Sequence, residues 1–339
     1  MHSRYSFTQA RRSFLTRSSS IALSSFIGLN VSDLRAEPPP EVKKIRLFHI
    51  PAVCHAPQYL VEELLKLEGI DVEYILIGSR HVAEALADGK ADMTMSNVME
   101  FIPPLDANRP IVLVAGVHSG CFVLFGNDRV RSIRDLRGKT VSITYFGGGD
   151  HILLSSMLAY VGMNPGDVKW VPGIRSLLDA QKVFIEGKSD AFVGFAQQPV
   201  ELREMKIGHV IVDTTTDRPW SQYFCCMLGA NRDFAQRNPI TIKRVTRAIL
   251  KAADMCDAEP LKVARFLSDK QYETRFRIGS DLMQRLPYNR WREDNPEDTL
   301  RFHALRLYEV GMIKTPPQRL IERGCDWRFL NEIKRELKA

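Results

Sequence analysis

No C-x-x-C pair occurs in this chain. Its six cysteines, at 54, 121, 225, 226, 256 and 325, are scattered, so a structural zinc site of that spacing is not expected. An oxidising compartment would permit one or two disulfides, but spacing alone selects no pairing. A dinucleotide fingerprint and a P-loop are missing too. The glycines at 147, 148 and 149 are consecutive, which breaks G-x-G-x-x-G, and no Gly-Lys-Ser/Thr closes them. No apolar run spans a bilayer comfortably; the best, 18–31, is interrupted by serines. Zinc-finger, homeodomain and aromatic RNP patterns are absent, and charges alternate in sign along most expected helices. That is a solvated surface rather than a polyanion footprint, so nucleic acid is not an expected partner.

What is present begins with a basic leader. Ala10-Arg11-Arg12-Ser13-Phe14-Leu15-Thr16 sets twin arginines before Phe-Leu, and a weakly apolar stretch follows. Residues 1–36 resemble a twin-arginine export signal, which implies a periplasmic protein. Cleavage after Ala36 is loosely specified, because Leu34 stands where a small residue is usual. Cys54 lies well past the leader, so a lipid-anchored cysteine is not expected. The leader holds five arginines and one aspartate, so its removal lowers the net charge from +7 to +3. The remaining chain, about three hundred residues, suits one large or two medium domains.

Beyond a 37–42 linker carrying Pro38-Pro39-Pro40, strands are expected at 43–50, 72–77, 93–96 and 111–117, with helices at 58–68 and 82–88. This alternation argues for α/β architecture. The organising stretch is 135–160. Its β-branched and aromatic residues at 140–145 suit a strand, Gly147 to Gly149 permit unusual backbone angles, and a helix is expected from Asp150 with Gly162 as its cap. Unpaired N–H groups would then lie at the carboxyl end of a strand, where open α/β sheets bind small ligands. An internal echo supports two lobes around a shared cleft: Ala87-Asp88-Gly89-Lys90-Ala91-Asp92-Met93 is mirrored by Ile185-Glu186-Gly187-Lys188-Ser189-Asp190-Ala191. Each leads into an apolar strand that ends in polar residues, Ser96-Asn97 and Gln197-Gln198. Cys225 and Cys226 read as small buried residues on opposite faces of a strand. After Ala230 the texture is helical, at 240–256, 260–268, 297–309, 316–323 and 327–337.

Asp135-Leu136-Arg137-Gly138-Lys139-Thr140-Val141 looks like the D-L-x-G-K-x-V hallmark that opens the second lobe of periplasmic solute-binding proteins. Ala56-Pro57-Gln58-Tyr59, Gly89-Lys90-Ala91-Asp92, the 162–168 stretch and Gly187-Lys188-Ser189-Asp190-Ala191 follow in family order. Over roughly 43–230 the chain therefore resembles the solute-binding proteins of ABC transporters, in the nitrate/sulfonate/taurine and thiamine-pyrimidine-precursor, NMT1-like branch. The resemblance implies a type II periplasmic-binding-protein fold, α/β, each lobe a mostly parallel sheet flanked by helices. Lobe 1 would comprise 43–127 plus 223–339 and lobe 2 128–222, with crossings near Asn127 and Gln222. It further implies a monomer that captures a small-molecule solute and delivers it to a membrane permease, with no cofactor, no metal and no catalysis. The cleft residues it implies are Ala52, Val53, Cys54 and His55; Ser96, Asn97 and Val98; and His118 and Ser119. From lobe 2 come Phe146, Gly147, Gly148, Gly149, Asp150 and His151, then Phe195, Ala196 and Gln197, with Tyr223 near the return crossing.

The chain departs from anion-binding members of that branch. Asp150 would occupy N–H groups that otherwise meet an oxyanion, and the candidate loops carry no Arg or Lys. A small organic solute (sulfonate/taurine-like, pyrimidine-like or aromatic) is expected rather than nitrate or sulfate, stacking on Phe146, Phe195 or Tyr223 and bonding to Asn97 and Gln197. Three alternatives stay open. One is a sensor input. Another is a pyrimidine-precursor synthase-like enzyme, hinted at by Cys225-Cys226 but opposed by the lack of lysine in 51–57. The third is a metal-capturing variant built on His55, His118, Asp150 and His151.

Overall fold

The computed structural model describes residues 37–338 except 51, 78–80, 175, 197 and 274. The expected export signal, and Gln197 with it, lie outside the described residues. In chain order the strands are β1 Lys44–His49, β2 Asp71–Leu76, β3 Met93–Asn97, β4 Ile111–Ser119, β5 Phe122–Gly126, β6 Thr140–Ser142, β7 Lys169–Val171, β8 Ala191–Phe195, β9 His209–Asp213 and β10 Phe224–Asn231. They form two sheets, ordered β2-β1-β3-β10-β4 and β7-β6-β8-β5-β9. The chain leaves the first sheet between Ser119 and Phe122, ahead of Asn127, and returns between Asp213 and Phe224.

The sheets are mixed rather than mostly parallel. β1 runs parallel to β2 and β3, and β6 parallel to β7 and β8, while β10 and β5 are antiparallel to both of their neighbours. The reason lies in the crossings. The antiparallel members are the two strands that follow a crossing: β5 enters the second sheet after Gly120 and Cys121, and β10 rejoins the first after 214–223. Each crossing inserts an antiparallel strand into the opposite sheet. β3, β4, β5 and β10 are buried along their whole length, as strands covered on both faces should be.

The internal echo is structural. Gly89 and Gly187 both have φ of 71°, the left-handed conformation that ends the preceding helix. Asp92 then accepts from Arg46 N–H at 2.8 Å, and Asp190 from Thr140 N–H at 2.9 Å. The carboxylates thus pin the start of β3 to β1 and the start of β8 to β6.

The helices are α1 Ala56–Leu67, α2 Val82–Ala87, α3 Val98–Asp106, α4 Gly149–Tyr160, α5 Leu177–Ile185, α6 Gln198–Glu204, α7 Arg232–Arg237, α8 Pro239–Ala258, α9 Pro260–Asp269, α10 Phe276–Arg285, α11 Pro296–Glu309, α12 Pro317–Gly324 and α13 Arg328–Glu336. From α8 onward they mostly cover the first sheet and its helices. α4 belongs to the second sheet but also packs against α3 and α11, and every residue from 149 to 158 is buried. Ser156 Oγ and His303 Nδ1, 2.9 Å apart, bind α4 to α11.

Candidate functional site

The site begins where β6 stops. The strand expected over 140–145 ends at Ser142; Ile143 N–H still reaches Val171 O at 3.0 Å, and Asp150 takes the donor after it, its Oδ2 accepting Thr144 N–H at 2.6 Å. Its Oδ1 accepts the Thr144 hydroxyl at 2.8 Å and His151 N–H at 2.9 Å. Of the first-turn donors of α4 the carboxylate thus takes His151 N–H. Gly148 is the helix N-cap, and Gly149 opens α4.

Gly149 meets the first lobe at close range. A Cβ there would stand 2.7 Å from Asn97 Nδ2 and 3.3 Å from Glu100 Cγ. Asn97 caps α3, its Oδ1 accepting Met99 N–H at 3.0 Å, so only its amide N–H groups remain for another partner. Ser96 Oγ donates to Glu100 Oε2 at 3.2 Å. Burial, reinforced by the charges of Cys226 and Asp150, pushes the Glu100 carboxyl up to about 7 against the pull of that hydrogen bond.

Between the two sheets lies a cavity of about 480 Å³. Of the expected cleft residues, Ala52, Cys54, His55, Ser96, Asn97, Gly149, Asp150 and Phe195 line it. The others lie elsewhere. Val53, Val98 and Ala196 are core, and Gly148 serves the helix cap. His118 and Ser119 are buried on β4, with His118 edge-on to Tyr288 at 5.0 Å. Phe146 is exposed, and with Gly147 it borders an adjoining pocket of about 200 Å³ that shares Val82, Glu100 and Tyr145 with the cavity. His151 lies between Phe146 and Trp170, at 5.2 and 4.9 Å, and accepts Gly147 N–H; burial holds its imidazole down at about 4. Tyr223 stacks on Phe302 at 4.2 Å, away from the cavity. Gln198 is spent within its lobe, bonding Phe195 N–H and Gln181.

Several lining residues escaped the sequence reading, notably Glu100, Cys121, Phe122, Thr144, Tyr145, Leu177 and Cys226. Glu100 was findable as the acid three residues after a cap-forming Asn97. The cysteines carried no local signal. Among the described lining residues the charged side chains are Glu100 and Asp150, with no Lys or Arg.

The cavity floor is rich in sulfur. The ligating atoms of Cys54, His118 and Cys226 lie within 4.8 Å of one another, as do those of Cys121, Cys225 and Cys226. His118 Nδ1 lies 3.1 Å from Ser119 O, and its Nε2, fully buried, has no partner. Against the effect of burial, Cys226 raises the His118 imidazole towards its charged form. A metal ion would take the neutral form, with the proton on Nδ1 and the Nε2 lone pair beside two thiols, a donor set suited to a soft or borderline ion. Hydrogen bonds from Cys121, Cys225 and Cys54, with the charge of His118, pull the Cys226 thiol well below its ordinary value. The set imagined from sequence does not form: Asp150 and His151 belong to neither cluster.

A match to the family model described as NMT1/THI5 like runs over 55–262, more than half of the chain. The chain belongs to the NMT1/THI5-like family. This NMT1/THI5-like chain is 27% identical over 229 residues to a 4-amino-5-hydroxymethyl-2-methylpyrimidine phosphate synthase of Saccharomyces cerevisiae, covering 62% of its own length and 66% of the relative. It thus spans just under two thirds of the curated relatives it matches first. Among solved structures, the periplasmic nitrate-binding protein NrtA of Synechocystis PCC 6803 superposes with a TM-score of 0.71 at 16% identity, over 89% of this chain and 90% of that one. A putative periplasmic sulfonate-binding protein of Methylobacillus flagellatus gives 0.65 at 19%, over 88% and 96%. At such identities the likeness speaks to fold, and the fold is that of periplasmic binding proteins.

Proposed function

We propose that this chain is the solute-binding component of an ABC-type uptake system, exported to the periplasm and acting there as a monomer. It captures a small organic solute between its lobes and hands it to a membrane permease. One observation carries the reading: a cavity of about 480 Å³ at the junction of two sheets, walled by Phe122, Phe195, Tyr145 and Leu177 and supplied with few polar groups. That is the make-up of a small-molecule site. The nitrate- and sulfonate-binding structural neighbours support transport. The acidic wall argues against a bare anion and for a neutral or donor-bearing organic molecule.

The test is a thermal-shift panel on refolded, ligand-stripped protein. At a hundredfold excess over its Kd a true ligand adds about 2.7 kcal/mol of stability. A shift with one organic class, weakened in Phe195→Ala, is the expected result. Failure of every organic class, with nitrate or sulfate shifting the melt instead, overturns the solute class proposed here.

A second reading is favoured by the thiol–imidazole floor together with the synthase relatives: an enzyme acting on a heterocycle in the same cleft. New product in mass spectra after incubating protein with candidate heterocycles would support it over transport.

A further inference from the structure

Two stretches carry the chain between the sheets, 120–121 outward and 214–223 on the return. A cysteine stands at each: Cys121 closes the first, and Cys225 follows the second by two residues. Both sit on irregular backbone. Cys121 has φ of 90°, in the left-handed half of the map that residues with a Cβ avoid. Cys225 is the extra residue of a bulge, because Phe224 pairs with Ser119 and Cys226 with His118, two steps on β10 against one on β4. The two departures aim the side chains at each other, and the sulfurs lie 2.7 Å apart. The next sulfur contact of Cys225, to Cys226, is 3.9 Å. Both thiols are buried, yet Cys121 also lines the cavity, so a small reagent can reach the pair through the cleft.

We propose that Cys121 and Cys225 are a redox pair whose disulfide ties the two crossings together. Burial holds both thiols of the pair well above their ordinary value, so the step quickens as pH rises. One thiol gives up its proton and attacks a low-molecular-weight disulfide, such as glutathione disulfide, releasing one of its halves as a thiolate. The second thiol, also deprotonated, then displaces the other half from the mixed disulfide. The protein gives up two protons and two electrons, and the small disulfide becomes two thiols. The bulge turns Cys225 to the same side as Cys226, against the opposite faces expected of neighbouring strand residues. Cys225–Cys226 is nonetheless a poor competitor, since those sulfurs stand 3.9 Å apart against 2.7 Å and a disulfide between adjacent residues is strained. The new bond closes a loop across 104 positions that contains the whole second sheet. It therefore restricts the unfolded chain strongly, and in the folded state it fixes the two crossings to one another.

The experiment oxidises the protein with glutathione disulfide, alkylates remaining thiols and maps peptides by mass spectrometry. Expected are a 121–225 linked peptide, a loss of two hydrogens, and a melting temperature higher by about 5–8 °C, all reversed by dithiothreitol. Cys121→Ser and Cys225→Ser should each lose the link and the shift, while Cys325→Ser keeps both. A link between any other pair, a lasting glutathione adduct, or no oxidation would overturn the proposal. A 121–225 link without the rise in melting temperature would overturn the restraint it assigns to the crossings. The wild-type peptide map stands by itself should a serine variant fail to fold.

Discussion

Glu100 is the residue on which the chemistry of the cavity turns. Its carboxyl keeps its proton to about 7, against 4.5 in an unperturbed chain, so the folded protein binds that proton more tightly than the unfolded one. The sign follows: its favourable contribution is present below about 4.5 and is lost as pH rises through 7. Glu100→Gln should therefore raise stability by about 1–3 kcal/mol at pH 8 and change it little at pH 4.5, measured by thermal melts at both values. Equal effects at the two pH values would show that the carboxyl is solvated in the folded state. Sequence could place Glu100 on a helix after Asn97, but not beside Asp150 and Cys226, because those neighbours come from other elements.

At the scale of elements, α3 and α4 meet end to end across the cavity. Asn97 serves both the cap of α3 and the contact with Gly149. Asn97→Ala should cost about 1 kcal/mol through the lost cap, read by chemical denaturation. A fall in ligand affinity much larger than that cost would assign the Asn97 amide a direct role in binding. An unchanged affinity would leave it a cap alone. α4 was legible as a helix from its apolar spacing, yet its burial on every side was not. That burial arises because α3 and α11 cover the face that a surface helix would show to water. β5, β7, β9, α3, α6, α7 and α10 escaped the sequence reading. β5 and β7 are short, and α3 carries Pro103 and Pro104 within it, residues that read as a helix break.

For the whole molecule, two buried histidines held neutral weaken the fold in acid, while His55 and His118, raised by neighbouring thiols against burial, act in the opposite sense. Burial lowers His303 to about 3 and His151 to about 4. Each favours the fold above the unfolded value of 6.5, and that contribution drains away as pH falls from there towards the folded values. Acid unfolding should thus begin below about 6.5, and His303→Gln should soften its dependence on pH in melts taken from pH 7 to 4. If the variant keeps the wild-type slope, His303 is not the group that sets it. Because His303 holds α4 to α11, its protonation would also loosen the contact between the second lobe's central helix and the C-terminal helices.

The sequence by itself determined the local grammar. Strand–helix alternation, the Gly-turn and Asp echo at 87–93 and 185–191, and the helical C-terminal third all follow from periodicity and turn chemistry within a few residues of each other. The glycine loop and Asp150 at the start of α4 were legible for the same reason. Only the tertiary structure decided which residues share the cavity. It put Phe146 and Tyr223 outside and Glu100, Tyr145 and Leu177 inside, and it drew Cys54, Cys121 and Cys226 from distant stretches to one floor. It also made the sheets mixed, because β5 and β10, the strands that follow the two crossings, enter antiparallel to their new neighbours. Contacts between residues a hundred positions apart depend on how two sheets face each other, and no local pattern encodes that distance.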